Sequence, residues 1–117
     1  MNSLLFVYNA NSGKLNTLFD IGHKLISPST YRCHLCELTH DTFSENNIWR
    51  EFRDHSNIAM EFYHKDEFES VFPTFKTDYP VILKKTRNVL HPLLDTKAID
   101  AYENVNDLIT YIKELSF

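Results

Sequence analysis

The run Cys33-His34-Leu35-Cys36 carries the sharpest chemical signal in the chain. Two cysteines at this spacing can close a disulfide, exchange it with other thiols, or clamp one metal ion, and each use depends on stabilising a thiolate. If Thr30 caps a helical turn, Cys33 falls at its third position, where backbone N–H groups favour negative charge. Arg32 and His34 act in the same direction. In a redox reading Cys33 is the nucleophile, Cys36 resolves the mixed disulfide, and the partner is a protein or a small thiol. In a metal reading zinc takes Cys33 and Cys36 together with imidazole, from His23 or His64, with His40 as a further candidate. Zinc asks for three or four protein ligands, and none of these histidines stands at a second recognised spacing from the cysteines. In a third reading the cysteines are structural residues of a non-catalytic binding module. The sequence leaves all three open.

Other stretches offer less. Asn9-Ala10-Asn11-Ser12-Gly13-Lys14 superficially looks like a phosphate loop, but the loop needs Gly where Tyr8 stands and Ser or Thr where Leu15 stands. Without them the backbone cannot wrap phosphates, and magnesium loses its hydroxyl ligand. Asp66, Glu67 and Glu69 sit where a helix would begin, and its dipole accounts for them. No Gly-x-Ser-x-Gly elbow or HExxH pair occurs.

Composition sets the frame for these residues. A chain of 117 residues with 43% hydrophobic and 14% aromatic content predicts one globular domain over 1–117. The net charge of -4 argues against nucleic acid as a partner, and Lys84, Lys85 and Arg87 read as a solvated turn. No apolar stretch is long enough to cross a bilayer, so no membrane partner is expected. The N-terminus lacks a basic leader, and with only two cysteines at CxxC spacing the expected location is the cytoplasm.

The elements that must position the cysteines follow from hydrophobic pattern. Leu4 to Tyr8 is continuously apolar, as a central strand buried on both faces would be. Leu15, Leu18, Phe19, Leu25 and Ile26 share a helical stripe over 14–26, with Ser12 as cap and Pro28 as stop. A second helix, capped by Ser44, carries Ile48, Trp49 and Phe52 to about His55. Alternation over 57–64 predicts a strand with Ile58, Met60, Phe62 and His64 on one side. Asp66-x-x-Glu69 reads as a capping box for a short helix ended by Pro73. Val81-Ile82-Leu83 and 89–94 form a hairpin across Thr86-Arg87-Asn88, and Pro92 assigns its second strand to an edge or a bulge. Asn104 opens a last helix bearing Val105, Leu108, Ile109, Ile112 and Leu115. Tyr31, Trp49, Tyr63 and Tyr79 are expected to keep polar tips at the surface.

This order resembles the β-α-β-α-β-β-α thioredoxin-like fold with an elaborated first crossover and a mixed four-stranded sheet. Tyr79-Pro80-Val81 strengthens the likeness, since thioredoxin-like proteins carry a cis-proline before the third strand, facing the active site. The resemblance therefore implies a cis bond and a substrate-side role at Pro80. One feature departs from the pattern: thioredoxin-like enzymes place CxxC directly after the first strand, and here it comes more than twenty residues later. The run from His23 through Cys33-His34-Leu35-Cys36 to Thr39, with Val7 to Gly13 and Glu61 to Glu67, is also similar to a small bacterial CxLC-containing family. Its members are sometimes named GTPases. That likeness implies a bacterial, intracellular protein, and the residues of the failed phosphate loop give the GTPase name no support.

Overall fold

The computed structural model describes residues 2–9, 33–40 and 45–115. The helix expected over 14–26 and the caps expected at Ser12, Thr30 and Ser44 lie outside them. Within them the chain is α/β, with a mixed four-stranded sheet and five helices.

The apolar run near the N-terminus becomes β1 (Asn2–Tyr8), whose Leu4, Leu5, Phe6 and Val7 have no exposed surface. A strand can be apolar at every position only if both faces of its sheet are covered. The strand order β2-β1-β3-β4 places β1 inside. On one side it runs parallel to β2 (Ala59–His64), with Leu4 opposite Met60 and Tyr8 opposite His64. On the other it runs antiparallel to β3 (Val81–Thr86), with Leu5 opposite Leu83 and Val7 opposite Val81. β3 turns through Arg87 and Asn88, both at positive φ (53° and 66°), into β4 (Val89–Leu94). Two left-handed residues match the twist of a tight hairpin, a geometry Asn accepts more readily than Arg. Pro92 lies on the edge strand, and the β3–β4 register shifts between Ile82 and Leu83, so the edge and bulge readings both hold.

Side-chain alternation divides the core in two. Leu4, Phe6 and Tyr8 pack against α1 (His34–Thr39), α2 (Asn47–His55), α4 (Thr96–Asp100) and α5 (Val105–Lys113) through Leu35, Cys36, Trp49, Ile99, Leu108 and Ile112. Leu5, Val7, Val81 and Leu83 face Phe68 of α3 (Lys65–Val71), which is ringed by Tyr63, Phe72, Phe75 and Tyr79. At the start of β1, Glu61 ties three strands together. It accepts from Ser3 Oγ at 2.9 Å and Tyr63 OH at 2.7 Å, and Lys85 Nζ lies 2.8 Å away.

Several local expectations are corrected. Asn46 caps α2, its carboxamide accepting the N–H groups of Ile48 and Trp49. The helix after β2 starts two residues early: His64 is its cap, and Glu67 reaches back to the His64 N–H at 2.8 Å, in place of Asp66 and Glu69. β2 starts at Ala59 because residues 57 and 58 form a bend, where Ser56 Oγ accepts the Ile58 N–H. Trp49 is fully buried, indole N–H included, because Phe6 and Phe52 enclose it. The helices α1 and α4 had no clear apolar period to announce them.

Among the described residues Phe68 is the fully buried ring of the aromatic layer over Leu5 and Val7. Phe68→Ala should cost about 3–5 kcal/mol of unfolding free energy, and Val89→Ala on the exposed edge less than about 0.5 kcal/mol, in denaturant titrations.

Candidate functional site

The two cysteines meet at the carboxyl end of β1. Asn9, the residue after the strand, donates its backbone N–H to Cys33 Sγ at 3.4 Å. Cys33 is the N-cap of α1, and its sulfur also accepts the N–H of Cys36 at 3.3 Å. This corrects the placement three positions into a turn capped by Thr30. Cys33 caps the helix itself, because its own sulfur accepts the donor that a capping side chain would otherwise take. The sulfurs of Cys33 and Cys36 are joined as a disulfide, with Cα atoms 5.2 Å apart. Both residues belong to the core, at 7% and 4% exposure. Two N–H groups therefore converge on Cys33 Sγ, and hydrogen bonds of this kind favour a thiolate when the bond is open.

His34, between the cysteines, does not turn its ring nitrogens to the sulfurs. Nε2 meets the Tyr102 carbonyl beyond α4, and Nδ1 meets Glu37 Oε1 at 3.0 Å. Burial works against the charged ring, yet two acceptors outweigh it and raise the His34 pKa above its ordinary value. Only the imidazolium can donate to both. His34 thus clamps α1 to the segment between α4 and α5. The i, i+3 spacing of His34 and Glu37 was visible in the sequence, but the Tyr102 carbonyl had no local signal.

Pro80 lies at the same end of the sheet, since Val81 pairs with Val7 near the close of β1. Its peptide bond with Tyr79 is cis, and its carbonyl accepts from Thr96 Oγ1 at 2.9 Å. His64, opposite Tyr8, also ends at this edge, but its Nδ1 lies 2.7 Å from Glu67 Oε1. His40 follows α1, where its backbone N–H donates to the Cys36 carbonyl at 2.9 Å and its Nδ1 lies 2.8 Å from Thr39 Oγ1. Among the described residues no group of three or more His, Cys, Asp or Glu is arranged to hold a metal ion. His23 lies outside them. The described donors to zinc thus stop at two sulfurs, short of the three or four the metal takes.

Beside the disulfide, sequence reasoning missed a group of side chains. Arg53 of α2 binds Glu45 through Nε at 3.0 Å and Nη2 at 2.8 Å, and its guanidinium lies 5.8 Å from the Phe62 ring centre. Tyr8 meets His40 edge to face at 5.8 Å. Burial pushes the Tyr8 phenol well above its usual range, so it stays protonated. Spacings of eight residues and more have no local pattern that announces such contacts.

Compared with family models, curated proteins and solved structures, the chain matches none. No described helix is long and apolar enough to cross a membrane.

The His34 clamp sets a pH dependence. Its pKa is raised in the fold, so the native state holds more protons than the unfolded chain above pH 6.5. The clamp then contributes fully below the unfolded value and is lost as pH rises through the folded one. Unfolding free energy should fall as pH climbs from 6.5 in the native protein, and the slope should flatten in His34→Gln.

Proposed function

We propose that this chain is a thioredoxin-like dithiol/disulfide protein of the bacterial cytoplasm, with Cys33 and Cys36 as its redox couple. The hydrogen bond from Asn9 to Cys33 Sγ carries the reading. The CxxC follows β1 by 24 residues in sequence yet abuts its end in space, where a thioredoxin-like site belongs. The alternation of strands and helices supports the same fold, and Pro80 is the substrate-side residue at that end of the sheet.

In the reduced form Cys33 thiolate, stabilised by the two N–H groups, attacks one sulfur of a substrate disulfide. A mixed disulfide forms and the other substrate sulfur leaves as a thiolate that takes a proton. Cys36, as thiolate, then attacks the Cys33 sulfur, and the second substrate thiol departs. Two electrons pass from the protein dithiol to the substrate, and the Cys33–Cys36 bond is restored.

Burial of both sulfurs favours a second reading, a purely structural cross-link. Loop size weighs against it. Chain entropy gives a bridge this short only about 2 kcal/mol, against about 4.7 kcal/mol for a 100-residue loop, so stability is a weak reason to keep it. Metal binding has no third described ligand to recommend it.

With a small disulfide such as hydroxyethyl disulfide, reduced Cys36→Ser should accumulate a mixed disulfide at Cys33, and reduced Cys33→Ser should form one at least about tenfold more slowly. Mass spectrometry of intact protein reads both. Equal rates in two folded variants would overturn the assignment of Cys33, and absence of exchange by either would leave the structural cross-link.

A further inference from the structure

The carboxyl ends of β1 and β2, which run parallel, open onto a cleft of about 270 Å³ beside α2. Crevices at the carboxyl ends of parallel strands are common ligand sites in open α/β sheets. The aromatic side chains of Tyr8 and Phe62 line this one together with His40, His64 and Arg53, while Tyr63, between Phe62 and His64 in the strand, turns its ring to Phe68 on the other face of the sheet. Phe62 is 38% exposed although it stacks on the buried Phe6 ring at 5.1 Å, so it offers apolar surface that the core does not use.

We propose that this cleft binds a small, uncharged planar aromatic ring of one or two fused cycles. Its size sets the upper limit, because pockets for drug-sized ligands start at about 300 Å³. Its charge pattern sets the ligand's charge. Arg53 gives Nε and Nη2 to Glu45, and Nη1 lies 3.3 Å from Asp54, so the edge of the guanidinium that would grip a carboxylate or phosphate is already matched by carboxylates. What the guanidinium has for a guest is its flat face, which already lies 5.8 Å from the Phe62 ring centre and so forms with Phe62 a wall that favours a π-system. The rings of Tyr8 and His40, at 76° to each other, add walls whose edge-to-face geometry suits an aromatic guest more than a saturated one. His64 is held by Glu67 through Nδ1 and has Nε2 as its remaining polar atom, a partner for a ring N–H or O–H. The cleft adjoins the disulfide through the chain itself: Tyr8 precedes Asn9, which bonds Cys33 Sγ, and the His40 N–H bonds the Cys36 carbonyl. The ligand site stands on its own residues and does not require the redox reading.

Indole tests it, with cyclohexanol as a saturated control, by NMR titration of the full chain in the oxidised form. Indole should give saturable amide shifts centred on residues 8, 40, 53 and 62–64, with a dissociation constant of about 1 mM or tighter, as its few atoms allow. Cyclohexanol should give none there. Phe62→Leu, which keeps the apolar volume and loses the ring, should weaken indole at least about fivefold. Shifts centred elsewhere, equal binding of cyclohexanol, or no saturation by about 5 mM indole would overturn the proposal, and these readings on the native chain hold whether or not the variant folds.

Discussion

Everything in this molecule hangs on β1 being covered from both sides. Leu4, Leu5, Phe6 and Val7 alternate between two cores, and each fully buried side chain contributes about 1.5–3 kcal/mol relative to exposure. Against a net stability of about 5–15 kcal/mol for an ordinary domain, that strand cannot move without the fold. Its two ends do different work. At the start, Glu61 gathers Ser3, Tyr63 and Lys85 and locks three strands in register. There burial opposes the Glu61 charge, but the bonds to Lys85, Tyr63 and Ser3 prevail and lower its pKa. At the finish, Tyr8 and Asn9 hold the cysteines and the aromatic cleft.

The contacts at that finish explain how a CxxC so late in the chain can still occupy the end of the first strand. One backbone N–H from Asn9 and one from Cys36 fix Cys33 Sγ in place, and Leu35 and Cys36 bury themselves against Phe6 and Tyr8 in the same core. His34 faces the other way and anchors α1 to Tyr102. The four residues of the motif thus divide their work: the sulfurs toward the strand, Leu35 into the core, and His34 toward the C-terminal helices.

Much of the frame was legible because it rests on local rules. An unbroken apolar run marked β1, Asn104 marked the start of α5, and Pro92 marked an irregular edge strand. What stayed hidden was short or distant. Six residues are too few for α1 to show a helical period, and the five of α4 rest on one Asp95 cap. The cap of α3 fell on His64 because its backbone N–H, leaving the strand, met Glu67 before Asp66 could serve as a cap. The cysteines themselves were legible as a motif, but their position against Asn9 depends on a contact across 24 residues. The pairing of Arg53 with Glu45 escaped for the same reason, lying beyond the reach of any helix or strand period.

The most direct test of the account is a redox titration of the folded protein in glutathione and dithiothreitol buffers, with free thiols alkylated and counted by mass. A reversible couple predicts one two-electron transition, from no adducts to two, with the near-native circular dichroism kept throughout. A disulfide that resists excess dithiothreitol until the chain unfolds, or thiols that never pair under oxidising buffer, would contradict it.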